Sequence, residues 1–184
     1  ALVLDAESGI TLQEKRLADK IRESGKPLLI IINKWDAVPD KKVNTLKVFE
    51  DNIVRREMPH LVYAPMLFCS ALKNQRLDKI IPQLNFVFEN ANRRVSTATL
   101  NQLLADAVAL SSPKPVHNKT LKLYYSTQVN THPPRFVLFV NDEKFITDPY
   151  KRYLERRLRE NVEFTGTPIV IDARTRERVK GEKR

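Results

Sequence analysis

Residues 28–36 read Leu28-Leu29-Ile30-Ile31-Ile32-Asn33-Lys34-Trp35-Asp36. An unbroken apolar run ends abruptly in an amide, an ammonium, an indole and a carboxylate. A strand with one face in water alternates apolar and polar residues, whereas a strand buried on both faces reads as a short continuous apolar run. The stretch therefore predicts a central strand of a parallel sheet, and in such sheets ligands gather just beyond the strand's carboxyl end.

The flanking sequence supports that reading. Ala1-Leu2-Val3-Leu4 is strand-like, and Thr11 with Glu14 forms a capping box. Leu17, Ala18 and Ile21 recur at helical spacing until Gly25 offers a C-terminal stop, which predicts a helix over 11–24. A second helix is expected from Val43 to Met58 and a strand from Pro65 to Ser70. Leu77, Ile80, Ile81, Leu84, Val87, Phe88 and Ala91 then form a stripe expected to face a core. Strands alternating with helices imply an α/β fold, a parallel sheet with flanking helices.

The pattern changes near residue 95. Ser96 is placed to cap a helix carrying Leu100, Leu103, Leu104, Ala107 and Val108. Strands at Leu121–Val129 and Phe136–Val140 are joined through Thr131-His132-Pro133-Pro134, which reads as an antiparallel hairpin. Asp148 and Pro149 fit a cap and a first helical residue, and a last strand is expected over Thr167–Asp172. The two regions are thus residues 1–94, α/β, and 95–184, a small α+β domain with a charged tail from Arg174.

The chain has 184 residues with a formal net charge of +10, and residues 95–184 hold 16 basic against 10 acidic side chains. A basic balance favours an acidic partner such as nucleic acid. Cys69 is the one cysteine and sits in the apolar run Pro65–Cys69, so it reads as a small buried hydrophobe rather than a nucleophile. His60, His117 and His132 lack metal-ligand spacing. No stretch reaches membrane-spanning length and no signal peptide opens the sequence, so no membrane partner and a cytoplasmic location are expected.

Asn33-Lys34-Trp35-Asp36 matches the Asn-Lys-x-Asp guanine-recognition motif of P-loop GTPases. A fixed carboxylate at Asp36 can accept bonds from guanine N1–H and the exocyclic amine, while adenine presents an acceptor there. Asn33 would tie neighbouring loops together, and the stem of Lys34 would lie against the base plane. The next strand ends in Ser70-Ala71-Leu72, matching the motif whose backbone N–H after the serine meets the guanine carbonyl. Guanine-binding candidates are therefore Asn33, Lys34, Asp36, Ser70, Ala71 and Leu72. No catalytic or metal-ligating residue is assigned, because no G-x-x-x-x-G-K-[ST] phosphate loop and no magnesium-side Asp-x-x-Gly occur.

Further stretches carry a specific resemblance. Asp5–Glu14 (DAESGITLQE) is similar to the segment following switch II in the EngA (Der) family of bacterial GTPases, which have two tandem G domains. LKLYYSTQV (121–129), FVLFVN (136–141), Tyr153-Leu154 and FTGTPI (164–169) resemble that family's C-terminal KH-like domain. Ser8 stands where the family usually has Glu. The resemblance implies the back of a second G domain followed by the KH-like domain. It also implies a parent protein that binds GTP or GDP with Mg2+, hydrolyses GTP and assembles the large ribosomal subunit through its rRNA. An upstream G domain is expected to pack on the KH-like domain, the catalytic half is expected to precede Ala1, and this chain alone is expected to be inactive. The alternative is an RNA-binding or protein-docking module with no nucleotide activity.

The helix from Pro149 to Glu160 has an apolar stripe of Tyr150, Tyr153, Leu154 and Leu158 and a basic one of Arg152, Arg156 and Arg159. The arginines are either rRNA phosphate contacts or a solvated face. Tyr124 and Tyr125 are expected to alternate, one in the core and one exposed. The Gly-x-x-Gly loop of ordinary KH domains is absent.

Overall fold

In a computed structural model, which describes residues 1–39, 41–42, 44–115 and 119–176, the apolar run becomes the middle strand of a parallel sheet. Val43, the expected start of the second helix, His117 and the tail beyond Arg176 lie outside the described residues. The chain divides into two units, Ala1–Arg93 with Phe164–Pro168, and Arg94–Glu163 with the residues from Ile169 onward.

The first unit orders its strands β1 (Leu2–Asp5), β2 (Ile30–Asn33) and β3 (Met66–Phe68), all parallel, with Leu2 beside Ile30 and Ile30 beside Met66. Between them run α1 (Leu12–Ser24) and α2, which is α-helical over Thr45–Phe49 and widens to a π-helical stretch over Glu50–Arg55. After β3 comes α3 (Ile80–Ala91). Successive residues of the central strand part to opposite faces. Ile30 and Ile32 join Leu2, Leu4, Ala18, Phe49 and Phe68 on one side, while Leu29, Ile31 and Cys69 meet Leu77, Ile80 and Leu84 on the other. Burying one such aliphatic side chain contributes about 1.5–3 kcal/mol, so the strand is anchored from both sides.

Local signals explain the boundaries. Thr11 and Glu14 form the capping box, and Gly25 takes φ 64° while its N–H donates to Arg22 O, closing α1. The widened turn of α2 delivers Arg55 to the carbonyls of Leu61 (2.7 Å) and Ala64 (2.9 Å) and to Glu50. The expected stripe of α3 is too broad: Ile81 and Phe88 are 63% and 61% exposed. Leu77, Ile80, Leu84, Val87 and Ala91 step by three and four along one line. Ile81 and Phe88 each sit one residue, about 100°, further round the helix.

In the second unit, α4 (Thr97–Leu110) and α5 (Asp148–Asn161) accompany a sheet ordered β4 (Leu123–Thr131), β5 (Pro134–Val140) and β6 (Val170–Thr175). β4 and β5 are antiparallel, whereas β5 and β6 are parallel. The Ser96 side chain accepts from Thr99 N–H at the start of α4. Asn101 accepts from Ser126 N–H (2.7 Å) and donates to Ser126 O (3.1 Å), which satisfies that fully buried strand residue. At the far end of α4 the hydroxyls of Tyr150 and Tyr153 donate to Ser111 O and Ala107 O, the latter shared with Ser111 N–H. Burial pushes the Tyr150 phenol up to about 12.

Three expectations shift here. A register irregularity between Leu123 and Tyr125 breaks the alternation, so Tyr124 and Tyr125 are both exposed, with Tyr125 stacked on Phe139 at 4.2 Å. The cap of α5 is Thr147, extended at ψ 162°, and Asp148 is instead in the first turn, where a carboxylate suits the helix's positive end. β6 begins at Val170 rather than Thr167, because Phe164–Pro168 belongs to the first unit and Pro168 has no N–H to give a ladder.

That returning segment is tightly held. Leu28 N–H donates to Gly166 O (2.7 Å), Gly166 N–H donates to Tyr63 O (2.7 Å), and Asn90 Nδ2 donates to Thr165 O (3.1 Å). Gly166 has φ +84°, and a Cβ there would lie 2.6 Å from Val87 Cγ1. Gly166→Ala is expected to destabilise the first unit by about 2 kcal/mol or more, from positive φ and overpacking together. A urea-unfolding midpoint equal to that of the parent chain would contradict this account.

Candidate functional site

β2 ends where its backbone still pairs with both neighbours. Ala6 N–H donates to Asn33 O (3.0 Å), Cys69 N–H to Ile32 O (2.8 Å), and Trp35 N–H to Cys69 O (3.0 Å). Lys34 then adopts φ 57°, turning the chain into a short 3-10 turn over Trp35–Ala37. Trp35 is the anchor of that turn, buried edge-on against Phe49 (5.4 Å) and Phe68 (4.6 Å).

The polar side chains lie around the strand ends. Asn33 Oδ1 accepts from Ala71 N–H at 3.0 Å, with Cys69 Sγ at 3.9 Å. This amide therefore ties the end of β2 to the loop after β3. Ala71 N–H, the donor the sequence assigns to a base carbonyl, is occupied by Asn33. The loop itself is closed by the Ser70 and Gln75 backbones, which exchange bonds of 3.1 and 2.9 Å, and Ser70 Oγ accepts from Lys73 N–H. Lys34 Nζ pairs with Asp5 Oδ2 at 2.6 Å.

Asp36 is the chemical centre. The Ser70 hydroxyl beside it, its own backbone N–H and the charges of Lys73 and Lys41 hold its carboxyl below the ordinary value, against partial desolvation. Its Oδ1 is buried and has no hydrogen-bond partner among the described residues. A buried carboxylate oxygen left unpaired costs free energy, so this oxygen is chemically able to accept a hydrogen bond from a donor brought to it. Asp36 faces a concavity of about 450 Å3 lined by Glu7, Asn33, Lys34, Asp36, Ala37, Ala71 and Leu72. Of the six candidates, five line this space, and Ser70 stands behind it with its hydroxyl beside the Asp36 carboxyl.

In the second unit, Arg152 and Arg156 are exposed on α5, and Arg156 stands 4.0 Å from Glu160 and 5.8 Å from the Tyr153 ring. Arg159 is different, since Nε and Nη2 both bond Glu155 Oε1, at 3.0 and 2.7 Å. Among the described residues no three His, Cys, Asp or Glu side chains are grouped so that they could hold an ion.

Comparison with known proteins gives two family matches. Residues 1–113 match the elongation factor Tu GTP-binding domain, and residues 94–174 match the KH-domain-like of EngA bacterial GTPase enzymes, C-terminal. The GTPase Der of Bacillus cytotoxicus is 47% identical over 177 residues, 96% of this chain and 40% of that protein. Its counterpart in Leuconostoc mesenteroides is 42% identical over 95% of this chain and 40% of its own length. A Synechococcus relative is 46% identical over 91% and 37%. The chain belongs to the EngA (Der) family. It spans about 40% of the length of the first two relatives.

Within an EngA-type G domain, the sequence reading passed over residues that the fold brings to this site. Asp5 pairs with Lys34, Glu7 lines the concavity, and Lys41 and Lys73 lend positive charge to Asp36. For Asp5 the signal is strand order, which the sequence pattern alone leaves open. Asp5 ends the strand beside β2, so the parallel arrangement alone puts it next to Asn33 and Lys34.

The carboxyl chemistry can be tested directly. The Asp36 side chain should titrate below the ~3.9 of an unperturbed aspartate. A folded-state value below the unfolded one means that the ionised form is favoured above it, and that this preference is lost as pH falls through the depressed value. Carbon-detected NMR titration should show that midpoint, and Ser70→Ala should move it upward. An unmoved midpoint would remove the serine hydroxyl as the leading cause.

Proposed function

We propose that the first unit is the guanine-recognition half of a GTP- and GDP-binding site, and that the second docks its parent on the large ribosomal subunit through rRNA. The observation that carries the first part is the buried Oδ1 of Asp36, without a hydrogen-bond partner among the described residues, in a concavity walled by Asn33, Lys34, Ala71 and Leu72. Guanine N1–H and its exocyclic amine supply two donors to a carboxylate. Adenine would set its unprotonated N1 against the anion and is rejected. Bonds to charged groups contribute about 1.5–3 kcal/mol each, enough for strong discrimination.

The relatives are named GTPases, and in this reading hydrolysis belongs to the whole parent protein. Phosphate and Mg2+ would be held by residues other than those of this chain, whose sequence holds no phosphate loop. The isolated chain is then a weak guanine binder without turnover. A cytoplasmic location follows from the ribosomal partner. No helix among the described residues is long and apolar enough to cross a membrane.

NMR titration with millimolar GDP is expected to shift the amides of Ala71 and Leu72, with ADP causing far smaller changes. Asp36→Asn should abolish the guanine response. It should also favour xanthine nucleotides, because the new amide donor meets a carbonyl where guanine carries an amine. Equal responses to GDP and ADP in the parent chain would refute guanine recognition.

For the RNA reading, support comes from the basic balance of the second unit and the exposure of Arg152 and Arg156. Replacing Arg152, Arg156 and Arg159 together by Ala should lower affinity for large-subunit rRNA and flatten its salt dependence. Each lost phosphate contact reduces the slope by about 0.7–0.9. Arg159→Ala alone should do least, because Glu155 already neutralises it. An unchanged salt slope in the triple variant would count against the proposal.

A further inference from the structure

Asp5 does not line the concavity beside Asp36, yet it holds two residues that do. Its Oδ2 bonds the ammonium of Lys34 at 2.6 Å, and its Oδ1 accepts from Glu7 N–H at 2.8 Å and Ser8 N–H at 3.4 Å. Lys34 and Glu7 are both among the seven lining residues. The sheet makes this possible: Asp5 stands beside Asn33 in the β1–β2 register, and Ala6 N–H adds one more rung to Asn33 O. We propose that Asp5 is a positioning residue for the purine site, fixing the Lys34 side chain and the Glu7 turn as two walls around the base.

The physical reason lies in what the two walls lack without it. Lys34 is a left-handed corner residue with a long side chain that is 55% exposed, so its rotamers are free unless the ammonium is tethered. Asp5 supplies the tether from a rigid strand end, 27% exposed and therefore partly shielded from water. The pair leaves its mark on both partners, lowering the Asp5 carboxyl and raising the Lys34 ammonium. Ordering a wall before the ligand arrives removes an entropy cost from binding. This inference rests on the guanine reading and extends it to a residue that never touches the base.

A double-mutant cycle tests it, using the full chain and GDP as probe. Asp5→Asn keeps an oxygen for the Glu7 and Ser8 amides but loses the charge for Lys34. It should weaken GDP binding about 3- to 10-fold, read from the initial slope of the Ala71 and Leu72 amide shifts, with the thermal midpoint unchanged. In a Lys34→Met background, Asp5→Asn should change binding by less than about 1.5-fold, because the partner is already gone. Asp5→Ala should weaken binding further than Asp5→Asn, as the Glu7 turn is released too. Equal loss from Asp5→Asn in both backgrounds would mean that it acts through general folding and would overturn the proposal, as would wild-type binding in Asp5→Asn. Failure of the unsubstituted chain to distinguish GDP from ADP would sink the guanine reading itself, and this inference with it. A GDP response that Asp36→Asn abolishes while Asp5→Asn leaves it intact would sink the positioning role alone.

Discussion

The bond from Ala71 N–H to Asn33 Oδ1 joins the ends of two adjacent strands, and the arrangement around the concavity follows from it. The three residues before Asn33 are almost wholly buried, so the amide's position is set by the sheet rather than by the loop that follows. Once Asn33 and Ala71 are linked, the short turn after β2 and the loop after β3 share one wall. Asp36 and Ser70 are then brought within bonding reach of each other. A serine hydroxyl and two lysines keep that carboxyl ionised. One of its oxygens has no donor among the described residues and stays able to accept one.

Trp35 shows why a tetrapeptide can be both a binding motif and a folding element. Its three polar neighbours line the concavity, but the indole turns the other way, into edge-on contact with Phe49 and Phe68. Aromatic pairs of this geometry add about 0.5–1.5 kcal/mol beyond area burial. The same turn that offers Asp36 to a ligand is pinned from beneath by a core side chain. Lys34 can hold its left-handed backbone because both of its neighbours are fixed, Asn33 by the ladder and Trp35 by packing.

The sequence made the parallel sheet legible because continuous burial leaves a continuous apolar string, and it made α1 legible because caps are local chemistry. It was less informative wherever the deciding partner was remote. Nothing within a few residues of Thr167 tells that Phe164–Pro168 bonds to Leu28, Tyr63 and Asn90, so the last strand was expected three residues early. The exposure of both Tyr124 and Tyr125 depends on an irregularity in pairing with β5, which period-two counting cannot foresee. At the site, the motif residues were readable as a string, whereas Asp5 and Glu7 became visible only when strand order put β1 beside β2.

Charge must be read the same way, residue by residue rather than as a total. The +10 of the chain suggests an acidic partner, but α5 shows how much of such charge can be spent within the fold. Arg159 is doubly bonded to Glu155, Arg157 pairs with Glu160 at 2.5 Å, and Arg135 pairs with Asp172 at 2.9 Å across the sheet. A cation already bonded to a carboxylate gains little from a phosphate, because the new contact must first break the old one. Arg152, and Arg156 with only a 4.0 Å approach to Glu160, keep more of their field for solvent or a ligand. Of the α5 arginines, these two are therefore the least engaged by carboxylates among the described residues, which a total of charges does not reveal.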